Sequence, residues 1–322
     1  MKAVQFSQIG GPEVFEYVDV PDPVPGPGEA LIQLKAIGVN YTDIYTRSGV
    51  AYPASLPAIT GSEGAGVVTA VGEGVTEVKV GDAVVTYGTP RCYAELVVAP
   101  AWRLVPLPAG LSFEQGAAAL LQGMTAQYLA DDSHAIKPGD VALVHAGAGG
   151  VGQLLIQMAK ARGATVITTV SSDAKAAICK GLGADHVIIY TRDDFEAETM
   201  RLTDGKGVDV VYDSVGKDTF LKGMNVLKQR AIMVAYGQSS GWPDPVPLQV
   251  LNRKSNFVQR PTLQSYTMTR EEIVTRSGIV FGEMLAGKLK LEVTETFPLA
   301  QAADAHRRLE SRATTGKLLL IP

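Results

Sequence analysis

Two rhythms of apolar and polar positions divide the chain. Up to about residue 122, short runs of β-branched and other apolar residues recur at 30–37, 64–71, 82–87 and 93–98. Turn signals such as Pro25-Gly26-Pro27-Gly28 and Val71-Gly72-Glu73-Gly74 separate them. Many short strands with frequent turns predict a mostly-β, barrel-like unit. From about 123 to 260 the rhythm changes. Apolar strands at 141–145, 165–170, 186–190, 208–213 and 231–237 alternate with helical segments, among them 173–182 and 218–227. That alternation predicts an α/β Rossmann-type, doubly wound parallel sheet. The tail carries a helix over about 270–286 and a strand-like Lys317-Leu318-Leu319-Leu320-Ile321. It is expected to return to the first domain. The expected domains are therefore 1–122, completed by 261–322, and 123–260.

The strand at 141–145 runs into His145-Ala146-Gly147-Ala148-Gly149-Gly150-Val151-Gly152. Gly147, Gly149 and Gly152 have the G-x-G-x-x-G spacing of a dinucleotide-binding turn. In that turn the first glycine permits a tight bend. The second lets a pyrophosphate approach the backbone, and the third brings helix and strand together. Val151, Leu154, Leu155, Met158 and Ala159 then fall on one helical face. With the strand at 165–170 they complete a βαβ unit, whose helix N-terminus offers free N–H groups to phosphate. Gly147, Gly149, Gly150, Val151 and Gly152 are thus candidate cofactor-binding residues.

Bulk properties narrow the classes. The chain has 322 residues, 46% hydrophobic and 19% charged, enough to bury two cores. A net charge of −4 gives no global electrostatic case for nucleic acid. The two cysteines, Cys92 and Cys179, lie far apart and exclude a C-x-x-C zinc lobe or a disulfide framework. The N-terminus lacks a signal-peptide pattern. The uncharged stretch 141–159 contains glycines, His145 and two glutamines, and reads as strand–turn–helix rather than a membrane span. The expectation is a soluble cytoplasmic protein. His145 is read as structural, and His134 and His306 show no partner pattern.

Several motifs, in order and spacing, resemble the medium-chain dehydrogenase/reductase superfamily, and within it the zeta-crystallin-type quinone oxidoreductases. They are the segments 38–49, 61–68, 145–152 and 211–216, with Arg260-Pro261-Thr262-Leu263 and 310–316. Relatives usually carry alanine where Gly147 stands. The resemblance implies a GroES-like, mostly-β barrel catalytic domain beside the Rossmann domain. It also implies a metal-free and flavin-free NADPH:quinone oxidoreductase, with the quinone in the interdomain cleft. Zinc-dependent relatives use Cys and His as zinc ligands where this chain has Asn40 and Ser62. Asn and Ser are poor zinc ligands, and Glu63 alone does not hold the ion.

NADPH is expected over NADH. An NAD site usually has a carboxylate at the end of its second strand, whereas here Ser171 follows Val170. Lys175 adds positive charge one helical turn on. By resemblance Arg312 and Tyr190 also lie near the 2′-phosphate. Asp173 is the counter-signal and is read as a helix N-cap.

By the same resemblance, Asn40 sits near the nicotinamide. Tyr45 and Tyr52 line a quinone pocket, where stacking and a hydroxyl would orient the ring. One extra residue before Tyr52 departs from the usual spacing. Thr125 is placed at the start of a linking helix and resembles a cofactor contact. Many relatives have a basic residue where Gln122 stands. Ser214 and Gly216 end the fourth strand, and Gly237 the fifth. Arg260 and Leu263 would approach the carboxamide. A homodimer is expected through an edge strand around 246–251. Rival readings are an NADPH-dependent enone or enoyl reductase, and an NADPH-sensitive protein binding AU-rich RNA.

Overall fold

The computed structural model describes residues 1–322. In chain order the elements begin with β1 (Lys2–Phe6), β2 (Glu16–Asp19), β3 (Glu29–Gly38), α1 (Tyr41–Ser48), β4 (Ala58–Ile59) and β5 (Glu63–Val71). Next come β6 (Ala83–Tyr87), β7 (Leu96–Pro100), β8 (Val105–Pro106) and α2 (Phe113–Tyr128). The alternating part follows: β9 (Val141–Val144), α3 (Gly150–Ala161), β10 (Thr165–Val170), α4 (Asp173–Gly181), β11 (His186–Ile189), α5 (Phe195–Leu202), β12 (Val208–Asp213), α6 (Phe220–Asn225) and β13 (Leu227–Ala235). The chain ends with α7 (Gln249–Asn252), β14 (Phe257–Gln259), α8 (Arg270–Leu285), β15 (Val293–Pro298), α9 (Ala302–Glu310) and β16 (Lys317–Ile321). No helix is long and apolar enough to cross a membrane.

Two compact units form, Met1–Met124 with Thr267–Pro322, and Thr125–Tyr266. In the first, a three-stranded sheet has the order β2-β1-β4 and a larger one the order β15-β16-β3-β5-β6-β8, with β7 also paired to β3. β3 pairs antiparallel with β5, β7 and β16. Its alternate residues Ala30, Ile32 and Leu34 are buried with Val84, Val97, Leu104, Leu318 and Leu320. The period of two along β3 is what puts one face into this core.

The second unit is one parallel sheet of order β11-β10-β9-β12-β13-β14. Strand order reverses at β9, so the carboxyl end of β9 opens at a topological switch point, where such sheets bind ligands. Leu143, Ile167, Val211 and Met233 from four neighbouring strands pack in its core with Phe195 and Phe220.

Several elements differ from the sequence expectation. The strand expected at 93–98 begins later, at Leu96, because Tyr93 and Cys92 hydrogen-bond to Thr60 and Gly61 across the loop. The helix expected at 218–227 is only Phe220–Asn225, and β13 begins at Leu227 rather than 231. Thr125 lies in the last turn of α2, not at its start. That helix begins earlier on a capping box: the Ser112 Oγ accepts from the Gln115 N–H, and the Gln115 side chain accepts from the Ser112 N–H. The N-cap of α4 is Ser172, whose Oγ accepts from Lys175 N, so Asp173 is the first helical residue. The stretch 246–251 is no strand. Pro247 removes an N–H donor a ladder needs and the stretch runs into α7, and the edge strand is β14.

Candidate functional site

The glycine turn sits between β9 and α3. Its left-handed residue is Ala146, at φ 54°. Gly147 is required for space instead: a Cβ there would lie 2.0 Å from the Thr168 Oγ1 of β10. A Cβ on Gly152 would lie 2.5 Å from the Ala146 carbonyl oxygen, so this glycine brings α3 onto the turn. At Gly149 the nearest atom would be 3.2 Å away, and nothing else lies within 4 Å. The backbone is therefore open where a pyrophosphate would approach. Gly149 caps α3 without any side-chain hydrogen bond, unlike Ser172 on α4 and Asp194 on α5. The first-turn N–H groups, from Gly150, Val151 and Gly152, have no side chain to satisfy them, which suits phosphate oxygens. A dinucleotide fits these residues.

His145 directly follows β9, at the start of the turn rather than in the strand. It is 1% exposed, and its Nδ1 lies 2.9 Å from the Thr169 Oγ1. Burial lowers its pKa, so it is a neutral packing residue against Phe195.

Ser171 and Tyr190 stand at the linked ends of β10 and β11. The Tyr190 N–H donates to the Val170 carbonyl at 3.0 Å. The Thr191 hydroxyl donates to the Ser171 carbonyl at 3.1 Å. Lys175 stands on the first turn of α4, and the Tyr190 side chain is exposed.

At the ends of β12 and β13, buried Asp213 shapes the loop containing Ser214 and Gly216. Its carboxylate accepts from the Val215 and Gly216 N–H groups at 2.7 and 3.0 Å, and from the Thr219 hydroxyl. Gly237 packs on Ser214, where a Cβ would meet the Ser214 carbonyl at 2.6 Å. Arg260 is held at the same end. It donates to the Ala235 carbonyl at 2.8 Å and to the Gln238 side chain, and lies over the Trp242 ring. Leu263 opens the short 3₁₀ turn Leu263–Tyr266.

The first unit holds Asn40, Tyr45, Tyr52 and Arg312. Thr125 lies at the unit boundary and is 8% exposed. Asn40 caps α1, with the Asp43 carboxylate accepting from its N–H at 2.9 Å. Its amide is fully engaged. Oδ1 accepts from Lys317 Nζ at 2.8 Å and Gln122 Nε2 at 3.3 Å, while Nδ2 faces Glu63 at 3.0 Å and the Gly38 carbonyl at 3.4 Å. Four partners fill the four positions an asparagine amide offers, so Asn40 is a fixed wall. Lys317 Nζ also lies 2.7 Å from Glu63 Oε2, and both side chains are 0% exposed. The other Glu63 oxygen accepts from the Leu121 N–H at 2.6 Å.

Beside this cluster runs a second buried network. Arg47, which can only donate, reaches His306 Nδ1 at 2.8 Å. The proton of His306 must therefore sit on Nε2, which donates to the Tyr93 oxygen at 2.8 Å. Tyr93 in turn donates to Asp43 Oδ2 at 3.2 Å, and the Ser62 hydroxyl donates to Asp43 Oδ1 at 3.3 Å. Burial pushes the Asp43 carboxyl up to about 7, despite these donors. Burial and the Arg47 charge push His306 down to about 3. His306, expected to lack partners, is thus central to a network that joins residues more than 200 positions apart. The expected aromatic pair is unequal. Tyr45 is 9% exposed, whereas Tyr52 is 49% exposed at φ 58°. Arg312 lies between α9 and β16 at φ 56°.

A family model described as "Alcohol dehydrogenase GroES-like domain" matches residues 26–109, and one described as "Zinc-binding dehydrogenase" matches residues 182–320. The chain is 44% identical to a quinone oxidoreductase of Pseudomonas aeruginosa, covering 100% of this chain and 99% of that protein. It is 42% identical to a 2-haloacrylate reductase of a Burkholderia species, covering 97% and 96%. The solved structure of Escherichia coli quinone oxidoreductase complexed with NADPH superposes with a TM-score of 0.98 at 43% identity, over 100% of both chains. Fold and site together define a GroES-like and Rossmann-type protein of the medium-chain dehydrogenase/reductase superfamily. Within that superfamily the chain belongs to the quinone oxidoreductase family.

Proposed function

We propose that this protein is an NADPH:quinone oxidoreductase working without zinc or flavin. The observation that carries the reading is the uncapped α3 N-terminus behind Gly147, Gly149 and Gly152, followed by the Ser171–Lys175 corner. Together they suit a pyrophosphate and a 2′-phosphate. The full-length likeness to quinone oxidoreductases, one solved with NADPH, supports it. Bound NADPH would supply the reducing equivalents. The chain's residues would bind and orient: Gly150, Val151 and Gly152 through backbone N–H groups, Lys175 and Tyr190 at the 2′ corner, and Ser214, Gly216 and Gly237 at the nicotinamide end. Thr125, Arg260, Leu263 and Arg312 would make further cofactor contacts, and Tyr45 and Tyr52 would form the aromatic wall for the acceptor.

Zinc does not fit the residues present. Where zinc relatives have Cys and His, this chain has Asn40 and Ser62, and the Lys317 ammonium already sits against Glu63 and Asn40. A cation of fixed position there would repel a metal ion. An electron-poor quinone needs little Lewis-acid help, which suits such a site. Drawing on NADPH would place the enzyme in the cytoplasm.

The test is the loss of NADPH absorbance with a panel of quinones, using metal-stripped protein, with NADH in parallel. Turnover with NADPH that ignores chelator supports the proposal. Tight NADPH binding without turnover of any quinone would favour an activated enone instead, a reading for which the likeness to 2-haloacrylate reductase speaks. Lys175→Ala should weaken NADPH binding by about tenfold or more, the effect of losing one charge-assisted contact to phosphate. NADH binding should change little. Equal loss of both cofactors would place Lys175 outside the 2′ corner.

We also propose a homodimer. The supporting feature is β14, an edge strand paired only with β13, whose Phe257 and Val258 are 60% and 42% exposed. An apolar edge of this kind invites pairing with a second chain. Phe257→Asp should convert a species of twice 34.0 kDa into one of 34.0 kDa by light scattering. A wild-type protein that already scatters as 34.0 kDa would end this reading.

A further inference from the structure

We propose that Arg192 sets cofactor choice by neutralising Asp173, and so opens the Ser171–Lys175 corner to a 2′-phosphate. The inference rests on the NADPH reading above and names a determinant within it.

The corner carries contradictory charges. Ser171 leaves room for a phosphate and Lys175 attracts one. Yet Asp173, three residues past the end of β10 and two past Ser171, adds a carboxylate to the first turn of α4, close in sequence to the place where NAD-binding sheets keep one for the ribose hydroxyl. The Asp173 side chain is 79% exposed and caps nothing, because Ser172 is the N-cap. Left alone its charge would oppose a phosphate dianion bound beside Lys175.

Arg192 resolves the conflict. Its Nη1 lies 3.0 Å from Asp173 Oδ2. The turn that carries it is fastened to the end of β10: Tyr190 N–H to the Val170 carbonyl, and the Thr191 hydroxyl to the Ser171 carbonyl. The Arg192 N–H closes the turn on the Ile189 carbonyl at 2.9 Å. Of the two carboxylates that follow Arg192, Asp194 caps α5 and pairs with Lys222. The Arg192–Asp173 pair is largely exposed on both sides, and such pairs add little to folding stability. Its placement therefore matches a charge-masking role better than a structural one. Nη1 spends one donor on Asp173, and the guanidinium has further N–H groups to offer.

The experiment measures equilibrium dissociation constants for NADPH, NADH and 2′,5′-ADP. It uses the wild type, Arg192→Gln, Asp173→Asn and the double variant, each checked for an unchanged melting temperature. Arg192→Gln should weaken NADPH and 2′,5′-ADP by about tenfold, while NADH binds as well as or better than before. Adding Asp173→Asn to Arg192→Gln should restore most of the loss, since the unmasked carboxylate is then gone. Two results would overturn the inference: Arg192→Gln binding NADPH like the wild type, or a double variant no better than Arg192→Gln. A wild type that prefers NADH, or binds neither cofactor, would instead sink the NADPH reading itself.

Discussion

Lys317→Met should be the most damaging single substitution in the first unit, with a loss of about 3–5 kcal/mol. Methionine keeps an apolar stem of similar length in the middle of the sheet. What it removes is the ammonium 2.7 Å from Glu63 and 2.8 Å from Asn40, in a place where neither Lys317 nor Glu63 is exposed at all. The Glu63 carboxylate would be left with the Leu121 N–H and the Asn40 amide alone. Neutral donors do not replace a cation in a medium without water. Lys317→Met/Glu63→Gln should recover most of the loss, because no charge is then stranded. The measurement is convenient, since one tryptophan lies in each unit: Trp102 in the first and Trp242 in the second. In a Trp242→Phe background, the urea midpoint of Trp102 fluorescence follows the first unit alone. A Lys317→Met midpoint within experimental scatter of the parent would show that the buried pair contributes nothing.

Asp43→Asn should stabilise the same unit at alkaline pH. The carboxyl rises on folding from an ordinary 3.8 to about 7, chiefly through burial. A raised carboxyl makes the folded state hold the extra proton between those two values. Its contribution is complete below about pH 3.8 and disappears as pH climbs through 7. Asparagine imitates the protonated form: its oxygen can accept from the Asn40 N–H and Tyr93, and its NH₂ can face Ser62. The stability gained over wild type should grow from near zero at pH 4 to a plateau of about 4 kcal/mol above pH 7, because each tenfold change in proton affinity on folding is worth about 1.4 kcal/mol. His306 has the opposite sign. Its pKa falls on folding from 6.5 to about 3, so its contribution is complete above 6.5 and is lost as pH falls toward 3. In the wild type the two slopes oppose each other between about 4 and 6.5. Asp43→Asn exposes the histidine slope, and the variant should become more acid-sensitive in that window. Urea midpoints at a series of pH values decide the matter. Parallel curves for variant and wild type would mean that Asp43 does not titrate in this range.

What the sequence disclosed and what it withheld follow from the range of the interactions. The parallel sheet and its glycine turn were legible because β9, the turn and α3 are contiguous, and each carries its own periodicity. Even there a role changed: the turn bends at Ala146, and Gly147 is needed for the Thr168 side chain, a neighbour 21 residues on that only the paired strands reveal. The edge strand expected at 246–251 is instead β14, and Pro247, with Pro243 and Pro245 just before it, is a local signal against a ladder there. The family resemblance singles out Asn40, but its saturation by Lys317, Gln122, Glu63 and Gly38 cannot be read locally. Lys317 stands 277 residues from Asn40. One clue was present: a lysine opening the apolar run 317–321, which is costly to bury without a carboxylate partner. His306 and Arg47 offered less, since neither has a neighbour in sequence that betrays a pairing.

The position of β16 also bears on how the chain acquires its structure during synthesis. This strand lies inside the larger sheet of the first unit, between β15 and β3, and begins with Lys317. Residues 125–266 form a continuous stretch with a complete sheet of their own. As the chain leaves the ribosome, that stretch can close before synthesis ends, whereas the first unit must wait with the Ile37–Gly38 end of β3 unpaired and Glu63 without its cation. The N-terminal residues are thus made first and finished last. A chain cut short between residues 267 and 316 would carry one sound unit and one open, charge-bearing sheet, a natural substrate for chaperones and proteases.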